Sequence, residues 1–522
     1  MARALLEGLH ALHAATTAPE ALRFERALRD PEPAQRALLR RAIEAAAPTV
    51  RGRELGLHAR MNLREFRSAV PIVAYDDLAP YVERIARGEK DVLSTDPTTM
   101  LERSGGSTAT TKLVPYGRAL FAAFSRATSP WLFDLQRRFP RTRAGRSYWS
   151  VSHAVRKVER TSGGIPIGLE DDSAYLGAVG RFVVGKLFAV PPAVAKLPTY
   201  EAWQEATLLA LLEAGDLALV SVWSPTFLTA LLEAAEARWG DLRPKLTPAR
   251  RAAVGDRFEP GRVWPNLALL SSWADGSARA YVQRIRDAFP GVPLQPKGLL
   301  ATEGVVSVPY GPESERGAVA AVRSHFIEFL PVRDDESLER EPLGVTELEE
   351  GRRYSPVFSA ENGFLRYHLR DVVRCTGHLH RAPLLRFEGK LDRTADLCGE
   401  KITEAQAVHA VAHARDVTGV APVFAMLVPV AERPHYALLV EGAGEASVAF
   451  AAAVEAFLAT GHHYAYARGV GQLGPLRAVR VRGAWERYAA AAALEGRKAG
   501  DLKPTALEPK PFAREAFPEV NV

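Results

Sequence analysis

The sequence predicts an α/β protein in two parts, a large α/β part followed by a smaller α+β part. Three observations carry this. Short β-rich apolar runs alternate with helical patterns as far as Ser324, the order that builds α/β architecture. Beyond Ser324 the pattern turns to strands and turns. A junction rich in glycine and charge at residues 387–404 then leads into a last stretch of helix and strand. The expected division is an N-terminal domain over residues 1–386, a hinge over 387–392 and a C-terminal domain over 393–522.

Residues 1–47 read as helices. Leu38, Leu39 and Ile43 fall at helical spacing between arginines, and Pro48 ends the run. Val70-Pro71-Ile72-Val73-Ala74-Tyr75-Asp76-Asp77-Leu78 is a short apolar run leading to a helix start. That helix is expected over 78–87, with Gly88 at its end. A helix over 118–133, a strand over 148–152 and a turn over 161–166 follow. Residues 217–223 are β-rich and lead through Ser224-Pro225-Thr226 into a helix over 227–239. A buried strand over 267–272 runs into Trp273-Ala274-Asp275-Gly276, with a helix over 280–289 next. Residues 293–300 lead into Ala301-Thr302-Glu303-Gly304. Alternating strands are expected over 325–331 and 363–373. The last part reads as a helix near 404–414, strands over 423–430 and 436–441, and Ala-rich helices near 446–459 and 488–494.

Composition narrows the class. With 47% hydrophobic and 25% charged residues, the 522-residue chain is globular, not disordered or collagenous. The net charge of +6 is spread among interspersed charges of both signs. No basic run or aromatic-basic interleaving points to nucleic acid, and a basic pocket for an anion accounts for the excess equally well. No stretch reaches the ~18 uninterrupted apolar residues of a membrane helix. Cys375 and Cys398 belong to no C-x-x-C pair or zinc spacing, which suits structural residues in a reducing cytoplasm. His153, after the 148–152 strand, has no partner nearby and reads as structural rather than as a catalytic base.

One segment concentrates chemistry: Ser104-Gly105-Gly106-Ser107-Thr108-Ala109-Thr110-Thr111-Lys112. Glycines let a backbone approach a ligand, and successive N–H groups form an anion-binding nest. Hydroxyls add donors to phosphate oxygens, and Lys112 supplies a compact positive charge. Neither the Walker spacing nor G-x-G-x-x-G is present. Taken alone, the segment reads equally as a Ser/Thr/Gly-rich surface loop.

Later segments complete a pattern. They are Leu299-Leu300-Ala301-Thr302-Glu303-Gly304, then Tyr367-His368-Leu369-Arg370-Asp371, then Asp396-Leu397-Cys398-Gly399-Glu400-Lys401, and last Gly500-Asp501-Leu502-Lys503-Pro504. In this order they resemble the adenylate-forming superfamily, and more closely the Gretchen Hagen three family of acyl-acid amido synthetases. The likeness runs from about Val70 to Lys503 and includes the Val-Pro-Ile-Val-Ala-Tyr-Asp-Asp-Leu, Ser-Pro-Thr and Trp-Ala-Asp-Gly segments.

The resemblance implies an acyl-CoA-synthetase-like N-terminal domain that binds ATP and acid, with a smaller mobile α+β C-terminal domain. It implies that Ser104, Gly105, Gly106, Ser107 and Thr108 cradle the ATP phosphates, with Lys112 on the outer ones. Glu303, beside Thr302, would hold magnesium, a hard cation that prefers oxygen ligands. Asp371, in the segment begun by Tyr367, would accept the ribose hydroxyls. Lys401 and Lys503 would stabilise charge at the α-phosphate, with Lys498 as the competing lysine. The implied partners are a small carboxylic acid and an amine or amino acid. A thioester-forming acyl-CoA or carrier-protein ligase and a non-catalytic nucleotide-binding protein are the alternatives. Each implied position also reads as a surface ion pair or solvated charge. Tyr148, Trp149, Trp223 and Phe227 suit either an acid pocket or the core.

The sequence departs from the family loop, which commonly reads Ser-Ser-Gly-Thr-Ser-x-Gly-x-x-Lys. Arg103 stands for the first Ser, Gly106 for the Thr and Ala109 for the later Gly. Arg370 stands where a Gly usually precedes the ribose Asp.

Overall fold

The computed structural model describes residues 3–104, 112–150, 159–168, 186–333, 337–391, 393–494, 502–503 and 505–521. The chain forms two compact units. The first comprises Met1–Ser221, Ala234–Ser272 and Phe289–Phe387. The second comprises Val222–Glu233, Trp273–Ala288 and Glu388–Val522. The division expected from sequence kept everything before residue 387 together, whereas two of its pieces pack with the second unit. Ser277 shows why: its hydroxyl donates to Glu404 Oε1 at 3.4 Å and accepts the Ala506 N–H at 3.1 Å.

Three larger sheets frame the first unit among the described residues. Arg146–Trp149, Leu217–Val222, Leu269–Ser272 and Leu294–Pro296 lie side by side, and both outer pairs run parallel. A second sheet centres on Arg353–Ser359, Asp371–Leu379 and Ala382–Lys390. A third carries Met100–Ser104 against Lys112–Tyr116. The helices Arg3–Arg29, Pro31–Ala46 and Arg118–Arg138 follow the apolar spacing of the sequence. Tyr75–Ala86 starts three residues earlier than expected, because Asp77 turns back to accept the Ala74 N–H.

The expected strand over 363–373 is broken in two. Only Tyr367–His368 and the segment from Asp371 pair. Arg366 and Arg370 adopt left-handed backbone, at φ 47 and φ 60, which an extended ladder cannot accommodate. The hinge expected over 387–392 begins inside the strand Ala382–Lys390. A side chain at Gly389 would meet Ala405 at 3.1–3.4 Å, so glycine there serves close packing. Asp392 lies outside the described residues.

In the second unit, Phe424–Val430, His435–Glu441 and Arg477–Arg480 form a sheet covered on both faces. Leu427, Leu438 and Val440 meet one apolar cluster with Val411, Phe450 and Val454. The alternate residues Met426, Val428 and Leu439 meet another with Tyr488, Phe512 and Phe517. This period of two is what a sheet buried on both faces requires. Among the described residues no helix is long and apolar enough to cross a membrane.

Candidate active site

Ser104 ends one strand and Lys112 begins its antiparallel partner, and the two face each other in register. A two-stranded ladder therefore closes the base of the phosphate-loop segment. Gly105, Gly106, Ser107, Thr108 and Ala109 lie outside the described residues, as do His153 and Lys498.

Glu303 sits in the tight turn between Leu300–Ala301 and Gly304–Val305 and is only 5% exposed. Its Oε1 accepts the Ser104 hydroxyl at 3.0 Å and the Tyr367 hydroxyl at 3.2 Å. Tyr116 donates to the Thr302 carbonyl at 2.5 Å and so ties this turn to the ladder. Burial, and then the charge of Glu303, push the Tyr367 phenol far above its usual range. It therefore stays protonated and remains a donor to the carboxylate. Gly304 must be small, since a Cβ there would lie 2.8 Å from His325 Nε2.

Tyr75, from the Val-Pro-Ile-Val-Ala-Tyr-Asp-Asp-Leu segment, organises the other side. Its hydroxyl accepts the Leu113 N–H at 2.7 Å and donates to the Leu113 carbonyl at 3.1 Å. The Lys112 ammonium lies 5.8 Å from its ring centroid. The same segment pairs with the Tyr367 region: Val73 donates to Arg366 O at 3.0 Å and His368 donates to Val73 O at 2.9 Å. Arg366 anchors the join through Glu328, at 3.1 Å, a carboxylate that also pairs with Arg67 at 2.7 Å. Asp371 begins its strand with 2% exposure, and its charge adds to the shift of the Tyr367 phenol. The Ser355 hydroxyl fixes its backbone, donating to Asp371 O at 2.7 Å.

Lys401 and Lys503 belong to the second unit. Lys401 is exposed, at φ 46, after a turn in which Glu400 accepts the N–H groups of Leu397 and Cys398, each at 2.8 Å. Lys503 is half-buried, with its ammonium 4.0 Å from the Trp273 ring centroid.

The structure thus brings Ser104, Thr302, Glu303 and Tyr367 together and sets Lys112 and Asp371 around them. Sequence reasoning missed Tyr116 and the Arg366–Glu328–Arg67 anchor. Nothing local marks these residues, because each partner is distant in the chain.

Sequence profiles of the GH3 family N-terminal, central and C-terminal domains match residues 21–250, 318–390 and 403–509. The chain belongs to the GH3 family. A protein of Oryza sativa subsp. japonica described as "Probable indole-3-acetic acid-amido synthetase GH3.12" is 27% identical over 428 residues, 70% of each chain. "Jasmonoyl--L-amino acid synthetase JAR4" of Nicotiana attenuata is 25% identical over 408 residues, again 70% of each. The solved structure "GH3.15 acyl acid amido synthetase" superposes with a TM-score of 0.82 at 19% identity, covering 95% of this chain and 94% of that one. That likeness establishes the GH3 fold.

Arg370, one of the departures from the GH3 pattern, now has a physical reading. Its φ of 60 is the conformation that glycine adopts without strain. Arg370→Gly relieves about 1–2 kcal/mol of backbone strain but adds about 0.4–1 kcal/mol of unfolded-state entropy. The expected result is a gain of up to about 1.5 kcal/mol in urea unfolding. A clear loss of stability would show that the arginine side chain is needed there.

Proposed function

We propose that this GH3 protein joins a small carboxylic acid to an amine, an amino acid in the first instance, at the expense of ATP. An oxygen of the acid attacks the α-phosphorus, the bond to the β-phosphate oxygen breaks, and pyrophosphate leaves. The amine nitrogen then attacks the acyl carbon of the adenylate, AMP departs, and the amine proton passes to solvent. One observation carries this reading: a buried carboxylate, Glu303, organised by two hydroxyls at the foot of the phosphate-loop ladder in a GH3 chain. The relatives' names, for indole-3-acetic acid and jasmonoyl conjugates, indicate the substrate types.

The donor set suits magnesium. Glu303 presents a buried carboxylate whose Oε1 accepts both hydroxyls. One carboxylate plus nucleotide phosphates is the usual way this ion is held. When bound, magnesium would offset the phosphate charge, with Glu303 as its protein ligand. Ser104 and the loop that follows it would cradle the phosphates, with Lys112 on the outer ones. Lys401 and Lys503 would act on the α-phosphate from a C-terminal domain over 393–522 that moves between the half-reactions. A cytoplasmic setting suits the two free thiols.

Acid-dependent exchange of ATP with pyrophosphate across a panel of carboxylic acids tests the first half. Mass detection of products with mixed amino acids and with coenzyme A tests the second. Amide products support the reading, and thioesters alone would replace it with an acyl-CoA ligase.

Asp371 supplies a further check. As acceptor for two ribose hydroxyls it contributes ~1.5–3 kcal/mol, so Asp371→Ala should weaken ATP binding roughly ten- to hundredfold. Calorimetric titration of a folded variant with unchanged affinity would remove Asp371 from the nucleotide site.

A further inference from the structure

The parallel strands of the first unit end on a polar corner that the reading above leaves unused. Trp149 is the last residue of its strand and pairs in register with Ser221; Ser271 pairs with Gln295 on the next two strands. Lys297 follows two residues after Gln295, hence on the same face. Its ammonium donates to Ser221 Oγ at 2.7 Å and lies 4.9 Å and 5.3 Å from the ring centroids of Trp131 and Trp149. Lys297 and Gln295 are each 2% exposed, and Ser271 is fully buried. Gln295 Oε1 accepts the Trp131 N–H at 2.8 Å. Gln295 Nε2 and Ser271 Oγ are buried and have no hydrogen-bond partner among the described residues.

Buried polar atoms of this kind call for a partner, which a ligand group or an ordered water supplies. The carboxyl ends of strands in an α/β sheet are where such folds present ligands. Lys297 also stands six residues before Glu303, a distance of at most roughly 20 Å along the chain.

We propose that this corner binds the tail of the substrate acid, and that the preferred acid carries an oxygen acceptor remote from the carboxylate that is activated. This inference rests on the ligase reading. Gln295 Nε2 and the Ser271 hydroxyl are donors with no acceptor among the described residues, and the Lys297 ammonium lies on the same face, so a phenolic, carbonyl or second carboxylate oxygen suits this corner. A hydrocarbon tail would leave Gln295 Nε2 and Ser271 Oγ buried with no acceptor among the described residues. Burial lowers the Lys297 pKa to about 7, so the lysine also gains from an acceptor oxygen beside it.

The test is calorimetric titration of the full chain with matched acids: phenylacetate against 4-hydroxyphenylacetate, and hexanoate against adipate. The wild type should bind the oxygenated member of a pair at least tenfold more tightly. Lys297→Met should bring a pair close to parity, and Ser271→Ala should lower the preference in part. No preference in the wild type overturns the proposal. So does a preference that survives Lys297→Met in a protein of normal melting temperature. Should Lys297→Met not fold, an undiminished preference in Ser271→Ala overturns it. Pyrophosphate exchange run in parallel separates the two readings. Preference without exchange supports the acid corner and refutes the ligase, while exchange without preference refutes the corner alone.

Discussion

Glu303→Gln should slow acid-dependent pyrophosphate exchange by on the order of 10²–10³, by analogy with loss of one group that stabilises transition-state charge. The substitution is chosen for what it keeps. Glutamine retains an acceptor oxygen where Glu303 Oε1 receives the Ser104 and Tyr367 hydroxyls. Alanine would orphan both hydroxyls, and any loss of rate would be confounded by a disturbed site. The charge is lost and the second carboxylate oxygen becomes an NH2 group, and an anionic oxygen is what a hard cation requires. The loss of charge-assisted hydrogen bonding should cost on the order of 1 kcal/mol of stability, too little to unfold the unit. Exchange rates measured across a magnesium titration provide the check, with thermal unfolding as control. Partial recovery at high magnesium places the defect in metal binding. A normal rate at ordinary magnesium would show that Glu303 only orders the two hydroxyls, and its assignment as metal ligand would fail.

Legibility differed sharply between elements. The helix Glu404–Thr418 was readable because its start is local chemistry: Thr403 caps Gln406, and Gln406 caps back. The strand Arg353–Ser359 was not, since it contains Pro356, which usually argues against a strand paired on both sides. The sheet tolerates it at a register position opposite Phe329. Alternation over 363–373 suggested one strand because left-handed arginines leave no mark in a hydrophobic pattern. Glu303 and Asp371 were singled out through the family resemblance, and the structure buries both carboxylates. Tyr116 was invisible because its role lies in a contact with Thr302, 186 residues away. Gln295-Pro296-Lys297-Gly298 carries no mark of burial in the sequence. Its burial comes from the neighbouring strands and from two tryptophans placed by other elements.

Lys503→Ala should slow adenylation far more than it weakens ATP binding. Lys503 is held by the second unit, with its ammonium over the Trp273 ring. Two residues on, the Thr505 hydroxyl donates to Glu404 Oε1 at 2.8 Å. A lysine that meets the α-phosphate only as charge accumulates there contributes little to ground-state affinity. Its loss lowers kcat and kcat/KM together. The expected reduction is on the order of 10²–10³, again by analogy with one oxyanion donor. Lys498→Ala is the matched control, because it removes the same charge from the same tail. Single-turnover pyrophosphate release should be slow in Lys503→Ala and normal in Lys498→Ala, with ATP affinity by calorimetry unchanged in both. The reverse ranking would move the catalytic role to Lys498. If neither variant is slow, the tail does not supply this charge through either lysine, and the proposal of a C-terminal domain that moves to deliver it loses its main support.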